Sequence, residues 1–233
     1  MKKVAIFDID GTIFRSSLLI ELVEDLIEQD IFPVSAEKYY KEQFKAWLDR
    51  EGTYDDYING VIDAFRKNLK GVAYKDFIDI AKDVVEEQKN HVYRYTRDMV
   101  ANLKEQGYFL LAISQSPRGI LNEFCEELGF DKVYGRFYEL GPTDCFTGEI
   151  VDIHLIGNKA NIVKRAVEKN DLTLEGSIGV GDTEGDVSLL EMVEHPICFN
   201  PNKALYKIAK RNGWEVVVER KDVIYKIQNG NVI

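Results

Sequence analysis

Apolar residues follow different periods in different parts of the chain, and the changes between them mark its elements. Val4 to Phe7 make a short, unbroken apolar run between Lys2-Lys3 and Asp8, and Asp10-Gly11-Thr12 follows as a turn signal. That combination predicts a strand buried on both faces. From Ser16 to Asn90 the spacing becomes helical. Leu19, Leu22, Val23 and Leu26 form one set, and Tyr40, Phe44, Trp47 and Leu48 a second. Tyr57, Ile58, Val61, Ile62 and Phe65 form a third, and Phe77, Ile80, Ala81, Val84 and Val85 a fourth. Pro33, Gly52 and Gly71 separate the sets, and Thr53 with Asp56 three residues on predicts a capped helix start. The segment reads as about four helices with no strand.

Beyond residue 90 strands and helices alternate. A helix near Tyr93 to Glu105 ends at Gly107, and "YFLLAISQS" follows as an apolar strand closing in hydroxyls. Gly119 to Leu128 is helical, with Gly129 as its C-terminal cap. "RFYELGPTDCFTGEIV" predicts a hairpin around Gly-Pro. Lys159 to Lys169 is helical, "SIGVGD" is a strand ending in acid, Val187 to Val193 is a short helix, and "PICFN" and "WEVVVE" complete the strands. Repeated βα units predict an α/β fold: a doubly wound parallel sheet with helices on both faces. Its core domain would comprise residues 1–15 and 91–233, with 16–90 inserted as an α-helical domain after the first strand. There is no repeat and no low-complexity tract.

Composition narrows the setting. The 233 residues are 45% apolar and 30% charged, ordinary for a soluble globular protein, and the formal net charge is −10. A strongly acidic chain disfavours nucleic acid and anionic membranes as main partners, since both reward a basic face. It does not exclude an anionic substrate, because one local cation or a metal overrides the global sign. The first apolar run stops at Asp8, too short for a secretory signal. No stretch approaches the roughly 18 apolar residues of a membrane span, so a cytoplasmic protein is expected. Cys125, Cys145 and Cys198 are odd in number and share no ligand spacing, which predicts buried free thiols in a reducing compartment. The oligomeric state stays open.

In parallel α/β sheets, ligands sit beyond the carboxyl ends of the strands. Three predicted strands end in polar clusters: Asp8-Ile9-Asp10-Gly11-Thr12, Ser114-Gln115-Ser116, and Gly181-Asp182 with Asp186 beyond. If they are neighbours, several carboxylates converge, and a divalent cation relieves their repulsion; an all-oxygen donor set suits Mg²⁺. Residues i and i+2 of an extended segment point the same way, so Asp8 and Asp10 can address one substrate. One can attack while the other handles a proton, as in catalysis through an aspartyl-phosphate. Gly11 permits a tight turn, Thr12 and Ser114 can donate to phosphoryl oxygens, and Lys159 can neutralise nucleophile and substrate.

These residues resemble the motifs of the haloacid dehalogenase superfamily, in the branch that includes phosphoserine phosphatase. "FDIDGTIF", Ser114, Lys159 and "GDTEGD" stand in the family's order, with a helical insertion after the first motif. The resemblance implies Asp8 as nucleophile and Mg²⁺ ligand. It implies Asp10 as general acid and base, with its backbone carbonyl on the metal. Thr12 and Ser114 would hold the phosphoryl group beside Gly11 and Gln115, and Lys159 would pair with Asp8. Asp182 would ligate Mg²⁺, and Asp186 would steady the site from behind the metal or through Lys159. Dehalogenating members lack the second acid, so Asp10 favours a phosphatase of a small phosphorylated metabolite, with residues 16–90 as its cap. Transfer of the phosphoryl group to an acceptor other than water, and a non-catalytic phosphate-binding scaffold, are the alternatives.

Other polar and aromatic residues read as structural. His91, His154 and His195 share no spacing, and Tyr39, Tyr40, Phe44 and Trp47 predict a core for the insertion. Phosphoserine is not expected as the preferred substrate. The phosphoserine phosphatases carry Glu nine residues after the nucleophile, where this chain has Ser17. Their Ser-Gly-Gly is replaced by Ser114-Gln115-Ser116-Pro117. Glu21 stands one helical turn from Ser17 as a substitute acid, and Arg50 or Arg66 as a substitute cation.

Overall fold

Strand β1 (Lys2–Phe7) lies inside a nine-stranded sheet, and its residues show why the opening run is unbroken. Ala5 and Phe7 enter the apolar cluster on one face of the sheet, Val4 and Ile6 the cluster on the other, and all four are fully buried. The computed structural model describes residues 1–151, 157–228 and 231–232. Among them the further strands are β2 (Phe109–Pro117), β3 (Lys132–Leu140), β4 (Phe146–Val151), β5 (Leu172–Gly181), β6 (His195–Phe199), β7 (Glu215–Arg220), β8 (Val223–Gln228) and β9 (Asn231–Val232). The sheet order is β4-β3-β2-β1-β5-β6-β7-β8-β9. Strands β3 to β7 in that order are parallel, and antiparallel partners close both edges. Strand β1 thus lies between β2 and β5, with Ile6 opposite both Leu111 and Gly179. Their carboxyl ends are neighbours.

The link from β1 to β2 carries α1 (Leu18–Glu28), a 3-10 helix (Val34–Tyr39), α2 (Lys41–Leu48), α3 (Tyr54–Asn68), α4 (Tyr74–Gln88) and α5 (Arg94–Glu105). Through Asn90 it contains no strand, as the spacing predicts. Helix α3 begins where expected: the Asp56 amide donates to Thr53 Oγ1 at 3.1 Å, and Asp56 Oδ2 accepts from the Thr53 amide at 3.4 Å. Leu22, Leu26, Val61, Phe65 and Phe77 of these helices share one buried cluster with Phe7 and Phe14 of the sheet side. The insertion is therefore packed onto the sheet. Helix α6 (Arg118–Glu127) follows β2, and α7 (Lys159–Lys169) precedes β5; a 3-10 turn (Glu184–Asp186), α8 (Val187–Leu190) and α9 (Lys203–Asn212) are the other helical segments among the described residues.

Several expectations shift at element ends and edges. Strand β5 starts at Leu172, five residues before "SIGVGD", and α8 stops at Leu190. Helix α9 and strands β8 and β9 are additions. Helix α9 buries only Leu205 and Ala209, so its sequence carries little apolar signal, although Gly213 caps it in the left-handed region at φ 70°. Strand β8, next to the edge strand β9, exposes Val223 and Tyr225, and period-2 patterning is weak there. Cys125 and Cys198 are buried free thiols, while Cys145 is half-buried. His91 lies edge-on to Phe14 and is exposed, His195 is exposed beside Glu194, and His154 lies outside the described residues. No helix among the described residues is long and apolar enough to cross a membrane.

Candidate active site

The turn after β1 is held by its own backbone. The amides of Ile13 and Phe14 both donate to the Ile9 carbonyl at 2.9 Å, and the Gly11 amide donates to the carbonyls of Phe14 and Ser16 at 2.9 and 3.0 Å. Gly11 has φ 79°, and a Cβ there would overlap the Asp182 carboxylate, so only glycine serves. Asp8 is the first residue past β1; its amide donates to Val180 of β5 at 2.9 Å. Lys159 opens α7 behind the N-cap Asn158 and reaches back under the sheet end. Its Nζ donates to Asp8 Oδ1 at 2.5 Å, to Asp186 Oδ1 at 2.5 Å and to the Ile113 carbonyl at 3.2 Å. All three side chains are buried.

Asp186 is fully engaged. While Oδ1 takes Lys159, Oδ2 accepts from the amides of Asp182 and Thr183 at 3.1 and 3.0 Å. Asp182 projects beside Gly11, and Thr12 donates to its Oδ1 at 3.4 Å. Thr12 is completely buried, and its hydroxyl is directed at Asp182. Asp10 turns to the other side. Its Oδ1 accepts from the Leu18 amide at 2.7 Å, at the start of α1, and its Oδ2 accepts from Ser114 Oγ at 2.5 Å and Ser116 Oγ at 2.9 Å. Ser114 and Thr12, expected to hold a phosphoryl group, are thus both bonded to acids of the site. Gln115 is exposed; Arg136 of β3 donates to its Oε1 from Nε at 3.1 Å and Nη2 at 2.6 Å.

These groups open onto a cavity of about 630 Å³. Asp8, Asp10, Gly11, Lys159 and Asp182 line it, with Gln115 and Ser116 beside them. Leu19, Trp47, Tyr54, Ile58 and Ile62 of the helical insertion line it as well. Trp47 therefore serves the cavity as well as the insertion's aromatic cluster. Arg15 also lines the cavity. Its Nε donates to the Val92 carbonyl and its Nη2 to Glu219, both at 2.9 Å. Glu219 is buried and accepts as well from the amides of Arg94 and Tyr95 at the start of α5, where the helix dipole favours a carboxylate.

Burial dominates the electrostatics. It pushes the Asp8 carboxyl up to about 8; Lys159 opposes the rise, while Asp186 and Asp10 add to it. Burial, then Asp8 and Asp186, raise Asp182 well above the usual carboxylate range. For Lys159 burial works against the charge, but Asp186 and Asp8 overcome it and the ammonium is held more firmly than usual. Four carboxylates meet one lysine here, leaving surplus negative charge in low dielectric.

The sequence profile of the haloacid dehalogenase-like hydrolases matches residues 5–191. The chain belongs to this hydrolase family. It is 25% identical over 228 residues to a histidinol-phosphatase of Neisseria meningitidis, covering 93% of this chain and 99% of that protein. It is 21% identical over 230 residues to a phosphoserine phosphatase of Methanocaldococcus jannaschii, covering 95% and 94% of the two chains. Among solved structures, a Bordetella pertussis protein of unknown function superimposes with TM-score 0.71 at 18% identity, covering 93% of this chain and 98% of its own. A phospho-aspartyl intermediate analogue of phosphoserine phosphatase superimposes with TM-score 0.59 at 20% identity, covering 95% of each chain. The α/β fold is that of these hydrolases.

The family implies a divalent cation, and this hydrolase's donor set fits one. Carboxylate oxygens of Asp8, Asp182 and Asp186 lie within 4.8 Å of one another, and all are oxygen donors, as Mg²⁺ prefers. Asp186 is committed to Lys159 and two amides, which leaves Asp8 and Asp182 as the side chains able to hold the ion.

Sequence reasoning missed Ser116, Arg136, Tyr54 and Glu219. Ser116 was legible, because i and i+2 of a strand point alike and Ser114 stands two residues before it. The others come from elements remote in sequence. Glu21, Arg50 and Arg66 are not among the cavity's lining residues. The Arg136 contact carries a prediction. With Oε1 held, the Gln115 amide is left to donate into the cavity. Arg136→Ala should raise KM for a phosphate ester several-fold with little change in kcat, a loss on the order of one hydrogen bond. Arg136→Lys should recover only part, lacking the paired donors. Steady-state kinetics of the three proteins check this.

Proposed function

We propose that this hydrolase is a Mg²⁺-dependent phosphatase of small phosphate monoesters that works through an aspartyl-phosphate on Asp8. The carrying observation is the buried Asp8–Lys159–Asp186 chain at the end of β1, with Asp10 two residues on at the same cavity. Lys159 fixes Asp8 through Oδ1, which leaves Oδ2 to attack phosphorus. As the Asp8–phosphorus bond forms, the bond to the ester oxygen breaks, and protonated Asp10 gives that oxygen its proton. Asp10 then takes a proton from water, whose oxygen attacks phosphorus, breaks the bond to Asp8 and releases inorganic phosphate. A phosphoryl group in the cavity would draw the hydroxyls of Ser114 and Ser116 from Asp10, freeing that carboxylate for its proton work. Asp8, Asp182 and the Asp10 carbonyl would hold Mg²⁺, which would supply charge neutralisation at the phosphoryl group. Residues 16–90 act as a cap over the core domain of 1–15 and 91–233, shielding the site from water.

Relatives are named for histidinol phosphate and phosphoserine, both small amino-bearing esters. The test is release of inorganic phosphate across a panel of phosphorylated metabolites with Mg²⁺. Transfer to another acceptor would instead yield a phosphorylated acceptor without free phosphate.

Chelation provides a second check. EDTA should bring turnover to background, and Ca²⁺ should restore little, because it prefers more ligands at longer distances. Mg²⁺ at a hundred times its Kd should stabilise the fold by about 2.7 kcal/mol. A thermal melt reads this without any substrate, and an unchanged melting temperature would remove the metal from the proposal.

A further inference from the structure

We propose that the cavity selects phosphate esters of alcohols that carry an organic cation on an apolar or flat body and no carboxylate. This rests on the phosphatase reading above and concerns what surrounds the leaving group. The cavity that holds the catalytic acids is also lined by apolar and aromatic residues of the insertion, Leu19, Trp47, Tyr54, Ile58 and Ile62. The Trp47 ring stands 5.6 Å from Tyr54, edge to face, and 5.7 Å from Tyr57, nearly parallel at 15°. Tyr57 is buried, so Trp47 stacks on a buried ring while lining the cavity. Aromatic surfaces of this kind attract ammonium and imidazolium groups through their ring faces and also accept flat rings.

Charge at the cavity points the same way. Asp55, exposed at the start of α3, lines the cavity beside Tyr54, and Glu184 lines it beside Asp182, its Oε2 accepting from the neutral Asn202 side-chain amide. Asp55 and Asp56 also offset the positive end of the α3 dipole, which would otherwise attract an anion. The cations are already engaged. Lys159 is bound between Asp8 and Asp186. Arg15 is bonded to buried Glu219 and to a backbone carbonyl, and its guanidinium lies 5.1 Å from the Tyr93 ring centre. Arg66 and Arg136 line a separate cavity of about 690 Å³ past Ile62, and Arg136 is tied to Gln115. Among the described residues the lining cations are Lys159 and Arg15, and each is already paired with a buried carboxylate, so a substrate carboxylate would meet no unpaired positive charge. A site without that partner rejects the group, since it would be desolvated unpaired, whereas a cation meets acids and ring faces.

Phosphoethanolamine and phosphoserine make the decisive comparison, because they differ only by the carboxylate. With Mg²⁺ present, kcat/KM for phosphoethanolamine should exceed that for phosphoserine at least tenfold. Phosphocholine and histidinol phosphate should fall with the former, and 3-phosphoglycerate should be poorest. Asp55→Asn should lower the ratio of phosphocholine to phenyl phosphate turnover at least fivefold, since only the first carries a cation. Phosphoserine equal to or above phosphoethanolamine, while phosphate is being released, overturns the selectivity and leaves the phosphatase reading standing. An unchanged ratio in Asp55→Asn overturns the part assigned to that acid. No phosphate release from any ester overturns both readings.

Discussion

Asp8→Asn is expected to abolish turnover, by a factor on the order of 10⁴ or more, in a protein that still folds. An amide in place of the carboxylate cannot form the acyl phosphate. The structure separates this chemical loss from a structural one. Asn keeps the shape of Asp, and Lys159 keeps Asp186 at 2.5 Å and the Ile113 carbonyl at 3.2 Å. Burial already disfavours the Asp8 charge, pushing its carboxyl up to about 8, so a neutral side chain relieves the metal-free site. The melting temperature in chelator should therefore hold or rise. Acid-quenched mass spectrometry during turnover should find a phosphorylated wild-type peptide spanning Asp8 and none in the variant. Wild-type turnover in a clean Asn preparation would remove Asp8 as nucleophile.

Lys159→Met should cost both stability and activity. Among the described residues the ammonium is the one cation bonded to Asp8 and Asp186, and removing it leaves buried carboxylates facing one another. Breaking a buried ion pair from one side costs about 3–5 kcal/mol. The pH dependence has a definite sign. The Lys159 pKa is raised in the folded state, so its contribution is intact below the ordinary lysine value of about 10.4 and is lost only as pH rises through the folded value. The Asp8 carboxyl is raised from 3.8 to about 8, so the folded protein binds that proton more tightly than the unfolded chain and loses stability as pH climbs between those values. Without Lys159, which opposes the rise, the carboxyl is pushed higher still and that loss continues undiminished to higher pH. In chelator, the melting-temperature gap between wild type and Lys159→Met should widen from pH 5 to pH 8. A gap that narrows over this range would contradict the assigned charges. Should Met fail to fold at neutral pH, melts at pH 5 and the Lys159→Arg protein, which keeps the cation, supply the comparison.

The residues that were legible in advance belong to local patterns. The i, i+2 spacing of Asp8 and Asp10, the glycine between Asp10 and Thr12, and the hydroxyl ending of β2 follow from how a strand stops and turns. The order of the motifs then fixed the family. Ser114 and Thr12 show the limit of that reading. Their type was suited to holding phosphate, but in the folded chain Ser114 donates to Asp10, 104 positions away, and Thr12 to Asp182, 170 positions away. No spacing rule reports such pairings.

The sequence by itself determined what neighbouring residues settle among themselves: the buried strand at the start, the helical run from Ser16 to Asn90 with its Thr53–Asp56 cap, the βα alternation, and acids at strand ends. These follow from the 2.0 and 3.6 residue periods and from side chains meeting their own backbone. Tertiary structure alone decided which strand ends became neighbours, with β1 between β2 and β5. It also decided that Lys159 reaches Asp8 across 151 positions, that Trp47 and Tyr54 line the cavity that holds the acids, and that Arg15 is held by Glu219. The physical reason is that sheet order and register come from burying both faces of the whole sheet at once, a balance summed over the chain that no short segment contains.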